Sequence, residues 1–366
     1  MSTHISLPKD FCSNPKEAYT LPARYYIDDS VFSHEIENIF TKDWICIAHV
    51  NDVLLPNQYI TREIIDESIL VIRGRDNVLR AFYNVCPHRA HRVVEGEGSA
   101  KNLTCPYHAW AFNQDGSFVN ARNCNNVYNF NKHDACLTSI RCEEYAGFVF
   151  INLNPNCNKT VEQQLPGLKE SFEKTLPNAA KLKRVARFTT KTPANWKNIV
   201  DNYMECYHCA PAHPGFADSV QVDKYWHKFF TNWSLQYGLA IPSDKSFQFS
   251  GESSFSGYWL WPCTMWNVNP VGMLNVIFEF PIDSETTLQY YDIFLPSEDI
   301  AKEYQDLIDW YRDVFRPEDL RLVESVQKGL HSRGYKGQGR IMADNNDSGI
   351  SEHGIAFFHN LVAQRY

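Results

Sequence analysis

Two stretches of the 366-residue chain gather side chains that bind metals. The first, NVCPHRAHRVVEGEGSAKNLTCPYHAW from Asn84 to Trp110, holds Cys86-x-His88 and Cys105-x2-His108, with 16 residues between the pairs. Thiolate and imidazole are the soft and borderline ligands that proteins use for zinc or iron. Zinc is the plainer reading, but structural zinc sites more commonly use Cys-x2-Cys knuckles or two cysteines followed by two histidines on a helix. Here each pair mixes one Cys with one His. That suits a [2Fe–2S] cluster with two cysteines on one iron and two histidines on the other, whose neutral imidazoles raise the potential. The two loops would then clamp the cluster from opposite sides. His91 exceeds the ligand count and reads as a solvated loop residue, and Tyr107 and Trp110 read as packing around the cluster.

The second stretch, NWKNIVDNYMECYHCAPAHPGF from Asn195 to Phe216, places Glu205, His208 and His213 at E-x2-H-x4-H. Two histidines and one carboxylate make the facial triad of non-haem Fe(II), which leaves positions open for O₂ and substrate. A helix ending near Pro211 would carry Glu205 and His208 on one face, three residues apart, and the following turn would return His213 towards His208. Cys206-x2-Cys209 competes as a zinc knuckle or redox pair. It lacks two further ligands and a thioredoxin-like setting, so both read as buried structural cysteines. The triad's carboxylate must come from elsewhere. Asp319 and Glu324 in RPEDLRLVESVQKGL are available, though Glu318 and Asp319 could simply complement the positive end of their helix.

These loops need elements to hold them. SVFSHEIENIFTK (30–42) has helical spacing of Phe32, Ile36, Ile39 and Phe40, with Ser30 able to cap it. From Trp44 to about Pro155 the pattern becomes short strands: WICIAH, QYITREI, SILVIRG, VLRAFYNV and FVFINLNPN, with a hairpin turn at GRDN. Helical stretches then appear at VEQQLPGLKESFEKTL, interrupted by proline, and at WKNIVDNYMECYH. WSLQYGLAI, MLNVIFEFPI and TTLQYYDIFLP alternate as strands of an antiparallel sheet with one packed face. Two helices follow, IAKEYQDLIDWYRDVF and PEDLRLVESVQKGL, with Pro317 suited to a first turn. The order indicates an α+β chain: residues 1–43 a helical segment, 44–155 a small all-β domain, and 156–366 a larger α+β domain.

Composition narrows the class. Hydrophobic residues are 44% and charged residues 21%, an ordinary globular mix. A net charge of −8 argues against a nucleic-acid partner. No apolar run reaches the roughly 18 residues of a membrane span, and MSTHISLPKDF lacks the features of a secretory signal. Eleven cysteines without that signal imply a reducing, cytoplasmic setting with free thiols.

C-P-H-R, then C-P-Y-H-A-W and F-x3-G, together with N-W-K and the acid-x2-His-x4-His-Pro run, resemble the Rieske non-haem iron oxygenases. The resemblance covers nearly the whole chain. Through ARNC (121–124), CYHCAPAHPGFADSVQVDKYW and SGISEHGIA it narrows to oxygenases of quaternary ammonium compounds, carnitine foremost. It implies a Rieske [2Fe–2S] domain, and a catalytic domain with an antiparallel sheet flanked by helices, of helix-grip type, holding mononuclear Fe(II). It assigns Cys86 and Cys105 to the inner iron, His88 and His108 to the outer, and His208, His213 and Asp319, rather than Glu324, to the mononuclear iron. Glu205 stands where most of the family has aspartate. That acid links a cluster histidine of one subunit to an iron-ligand histidine of the next, so a homotrimer is implied. Tyr203 and Tyr291 match positions that bind the substrate carboxylate. The other partners implied are O₂ and a separate flavin and iron–sulfur reductase fed by NAD(P)H. The implied products from carnitine are trimethylamine and malic semialdehyde. Glycine betaine, stachydrine, choline and gamma-butyrobetaine are alternative substrates. Trp259, Trp261 and Trp266 in YWLWPCTMW could cage an ammonium, although such clusters are usually core. His331, His353 and His359 have no ligand spacing. Two other classes compete: an electron carrier with a cluster and no second iron, and a colourless zinc-binding interaction protein.

Overall fold

The computed structural model describes residues 5–8, 11–241 and 254–366 and divides into two compact units. One comprises Thr41–Val161 with Asn178–Lys181, the other Met1–Phe40, Glu162–Pro177 and Leu182–Tyr366.

The first unit is built of strands and short 3-10 turns. Seven strands form one antiparallel sheet: β1 (Ile45–His49), β2 (Gln58–Ile64), β3 (Glu67–Arg73), β4 (Leu79–Tyr83), β5 (Glu97–Ser99), β9 (Ser139–Tyr145) and β10 (Phe148–Asn152). Their order is β1-β10-β9-β4-β3-β2-β5. The expected strands form because β-branched and aromatic side chains fit a pleated, packed surface. The GRDN hairpin closes with Gly74 N–H donating to Val78 at 2.9 Å, and Asn77 takes the left-handed conformation (φ 62°) that asparagine tolerates. A second sheet of β6 (Leu103–Thr104), β7 (Ala111–Phe112) and β8 (Phe118–Asn120) carries one of the two Cys–His loops.

The second unit is centred on seven antiparallel strands: β11 (Lys183–Thr192), β12 (Trp226–Phe229), β13 (Trp233–Leu239), β14 (Ser254–Leu260), β15 (Thr264–Val268), β16 (Leu274–Asp283) and β17 (Thr286–Leu295). The order β11-β17-β16-β15-β14-β13-β12 is a meander except that β11 closes onto β17. Sequence reading passes over β11, because its polar, basic residues show no apolar alternation. Cross-strand pairing holds it instead. Arg187 faces Asp292 in register and grips its buried carboxylate through two bonds of 2.5 Å.

Helices Trp196–Tyr203, Arg316–Leu330 and His353–Ala363 belong to this unit, as does the N-terminal segment. The N-terminal helix starts at Asp29, one residue before the expected start. Its cap is Asp28, which accepts from Ser30 N–H at 2.8 Å, and not Ser30 itself. After Glu35 the helix continues as a π turn, Ile36–Phe40. Glu35 makes a fully buried pair with Lys197 at 2.7 Å and accepts from the Trp196 indole at 2.8 Å. The Trp-Lys of the N-W-K run is therefore an anchor for the N-terminal segment.

The two helices expected near the C-terminal end form one continuous helical run: Lys302–Trp310, a π segment Tyr311–Phe315, then Arg316–Leu330. Pro317 does not break it. A proline ring clashes with the carbonyl four residues back. Here that is Asp313, inside the π segment, whose wider turn relieves the clash.

Candidate metal centres and substrate cavity

The two Cys–His loops have the same backbone. Ala90 N–H donates to Cys86 and Ala109 N–H to Cys105, at 2.9 and 3.0 Å. Cys86 and Cys105 N–H in turn reach the carbonyls of His91 and Trp110, at 2.8 and 2.9 Å. Both alanines are left-handed, with φ 57°. Each loop buries its cysteine, 2% exposed in both cases, and turns its histidine outward, with the His88 and His108 rings 4.7 Å apart. Neither cysteine is in a disulfide. Partial desolvation, then the electrostatic influence of His88, Arg89 and His91, hold His108 below its usual pKa and favour the neutral imidazole that a metal needs. Trp110 stacks on His88 at 4.7 Å. Tyr107 is half exposed, and His91 is exposed, with Nδ1 at 2.6 Å from Arg92 O. Two matched loops, thiols inside and imidazoles outside, fit a [2Fe–2S] group with mixed ligation.

The second centre is built differently from the expectation. The helix stops at Tyr203, well before Pro211. The Glu205 carboxylate turns the chain by accepting from Tyr207 N–H and His208 N–H, since a side-chain acceptor competes with the helical ladder. Glu205 and His208 meet through this turn and not along a helix face. Single helical turns Cys209–Ala212 and Pro214–Ala217 follow and place His213 between them. The turn also brings Cys206 and Cys209 to a Cα separation of 4.9 Å, and they are joined as a disulfide. Both are buried, as read from sequence, but the pair departs from the general expectation of free thiols; the other nine cysteines are free.

His208, His213 and Asp319 come together with their donor atoms within 4.8 Å of one another. Asp319 Oδ1 lies 2.9 Å from His213 Nε2 and 3.6 Å from His208 Nε2. The opposite ring nitrogens are also held: His208 Nδ1 by Glu205, and His213 Nδ1 by Glu318 at 2.8 Å. A carboxylate on Nδ1 fixes the tautomer that leaves the Nε2 lone pair for a cation. Burial opposes charging His208, yet hydrogen bonds and charge from Asp319 and Glu205 lift its pKa to about 10. Burial likewise pushes the Asp319 carboxyl up, but both histidines outweigh it and hold it below the usual range. The negative potential that would protonate these imidazoles equally attracts a divalent ion. The donor set fits a facial triad. Glu324 is absent from the group. Glu318, read from sequence as a helix-dipole partner, is the residue sequence reasoning missed; its signal was an acid next to Asp319.

A cavity opens beside this group, lined by Tyr203, Tyr291, Asn267, Glu279, Arg316 and Asp319 among others. Tyr203 donates to Asn267 Oδ1 at 2.6 Å, a reach allowed by Gly257, where a Cβ would lie 2.7 Å from the Tyr203 hydroxyl. Tyr291 accepts from Asn275 Nδ2 at 3.1 Å, so its own proton is uncommitted among the described residues. Burial raises both phenols well above their usual pKa, which keeps them neutral donors. Trp259, Trp261 and Trp266 are fully buried and do not line the cavity. On β15, Met265 and Asn267 face it and Trp266 points the other way, as strand alternation requires. Trp259 packs on Phe357 and Phe358. His331 pairs with Glu285, and His359 with Asp201 and Tyr26. His353 is buried against the rings of His227 and Phe229.

Residues 43–131 match the Rieske [2Fe-2S] domain, and residues 179–366 the ring hydroxylating alpha subunit (catalytic domain). The carnitine monooxygenase oxygenase subunit of Escherichia coli is 64% identical over 368 residues, spanning 100% of this chain and 98% of the relative. A quaternary ammonium Rieske monooxygenase, CntA, solved with L-carnitine, superposes with a TM-score of 0.93 at 57% identity, over 99% of each chain. The same enzyme with gamma-butyrobetaine gives 0.91 at 55%, again over 99% of each.

Proposed function

The chain belongs to the Rieske non-haem iron oxygenases, and from that premise we propose that it is the oxygenase component of a carnitine monooxygenase. The observation that carries the reading is the convergence of His208, His213 and Asp319 on a cavity furnished with the buried hydroxyls of Tyr203 and Tyr291. Cys86, Cys105, His88 and His108 would hold the cluster, and His208, His213 and Asp319 the mononuclear iron. When bound there, the cluster supplies electrons and the iron activates O₂. The protein's own residues do the rest. Tyr291, with a free proton, donates to the substrate carboxylate, and Tyr203 can join by giving up its bond to Asn267. Together they set the carbon attached to nitrogen beside the triad. Hydroxylation of that carbon consumes O₂ and two electrons from NAD(P)H and leaves one oxygen as water. The resulting N-bearing alcohol expels trimethylamine and becomes the aldehyde, malic semialdehyde. Glu205 holds His208 Nδ1 on one side, and its free capacity serves to couple the centre to a neighbouring subunit's cluster. The same reading carries a homotrimer, a separate flavin and iron–sulfur reductase, and a cytoplasmic setting.

The test is product analysis with purified protein, a competent reductase, NADH and a panel of quaternary amines. Trimethylamine should appear from carnitine. Tyr203→Phe and Tyr291→Phe should each lower kcat/KM roughly ten- to a hundredfold, the cost of a hydrogen bond to a charged group. Tyr291→Phe should have the larger effect, because its donor is not already engaged. Choline, lacking the carboxylate, should be a poor substrate that barely responds to either change. No trimethylamine from carnitine, with demethylation of glycine betaine or stachydrine instead, would remove the carnitine reading.

A further inference from the structure

Glu279 sits on β16 at 1% exposure and lines the cavity. Its Oε1 accepts from Gln289 Nε2 at 3.0 Å, across the strand pair. Its Oε2 has no partner, and the residue makes no ion pair among the described residues. A buried carboxylate with half its valence unmet is costly for a fold to keep, and no metal-ligand or packing role accounts for it. Arg316 is its opposite: it lines the same cavity, lies 5.1 Å over the Tyr291 ring and donates to Thr190 at 2.7 Å. It too makes no ion pair among the described residues. Gln289 and Tyr291, the partners of the two charges, stand two residues apart on β17, so they share a face about 7 Å apart. The cavity therefore has an acidic place and a basic one, and among the described residues no counter-charge stands at either.

We infer that Glu279 is the counter-ion for the substrate's quaternary ammonium group. A quaternary ammonium has no N–H to donate, so it cannot be recognised by hydrogen bonds. It gains instead from a carboxyl in a poorly solvated wall that has no competing partner on one oxygen, and the seated cation itself draws that carboxyl into its ionised form. Glu279, with Oε2 unpartnered, is of that kind, and the tyrosines Tyr203 and Tyr291 together with Arg316 are left for the anionic end. The inference rests on the carnitine reading and adds the residue that makes the permanent positive charge a requirement.

The measurement is binding of carnitine and of its uncharged carbon isostere, in which the trimethylammonium is replaced by a tert-butyl group, to the metal-loaded enzyme. Wild type should prefer carnitine strongly. Glu279→Gln should weaken carnitine roughly ten- to a hundredfold, with kcat less affected than KM, while leaving the isostere equal or tighter. Glu279→Asp, which keeps the charge, should recover part of the preference. Equal loss for both ligands would reduce Glu279 to a structural support. Unchanged carnitine binding, or a wild type that binds the isostere as well as carnitine, would overturn the inference, and the last comparison needs no variant to fold. If wild type released no trimethylamine from carnitine, the substrate reading itself would fall. Normal turnover with an indifferent Glu279→Gln would sink only the counter-ion.

Discussion

At the scale of single residues, the mononuclear centre depends on five carboxyl and imidazole groups: Asp319 between His208 and His213, with Glu205 behind the first and Glu318 behind the second. Among the described residues, Asp319 is the one acid whose oxygen faces both Nε2 atoms. Asp319→Ala should strip the mononuclear iron while the visible spectrum of the cluster stays intact, because the two ligand sets share no residue. Glu318→Gln should be milder, with iron affinity down roughly ten- to a hundredfold, as expected for loss of a carboxylate behind a ligating histidine. Iron analysis of both variants checks this, and full iron in Asp319→Ala would refute it. Glu279 makes a separate prediction about pH. Burial raises its pKa from 4.5 to about 8. The folded chain keeps a proton that the unfolded chain releases, so this stabilisation is complete below pH 4.5 and lost as pH rises through about 8. Tyr203, Tyr291 and Arg316 titrate above that window, and His208, His213 and Asp319 are common to wild type and variant. Thermal melts should therefore show Glu279→Gln gaining on wild type between pH 5 and pH 9. Parallel curves would mean that Glu279 is not desolvated as its burial implies.

At the scale of elements, the helix Trp196–Tyr203 carries the chain into the iron-binding turn, and the N-terminal segment fixes it through Glu35. Burial disfavours the charged form of Lys197, and Glu35 opposes that effect. Removing one member of a buried pair strands the other, at a cost of about 3–5 kcal/mol. Glu35→Ala should thus lower the midpoint of chemical denaturation clearly. A double change to Glu35→Leu with Lys197→Met should recover most of the loss, since an apolar pair of similar size replaces the ions. Equal instability of single and double variants would show that Glu35 acts mainly through Trp196 and Tyr366, its other hydrogen-bond partners.

At the scale of the whole molecule, Glu205 raises the question of where electrons come from. If they cross between subunits, an oligomer mixing His108→Ala chains with Asp319→Ala chains should be active although each parent is dead. Random mixing of two half-active chains in a trimer leaves about a quarter of the interfaces competent. Refolded or co-expressed mixtures would measure this, and no activity in verified mixed oligomers would exclude the inter-subunit route. Much of this architecture was legible in the chain. Ligand types and spacings such as C-x-H, C-x2-H and H-x4-H are local, because a loop or turn of a few residues suffices to aim them. Strand alternation is equally local, which is why β2, β3, β16 and β17 could be read. Long-range partners could not: β11 is held by Asp292, Glu318 acts through His213, and the Trp196–Lys197 pair acts through Glu35. Nor could the end of the helix at Tyr203, where the Glu205 carboxylate captures the backbone, nor the joining of Cys206 to Cys209 that the turn permits. The sequence by itself determined which atoms could bind metal and in what order the elements come. Only the tertiary structure decided which acid faces which histidine and which charges stay unpaired in the cavity, because those depend on distances closed by packing across more than a hundred residues of chain.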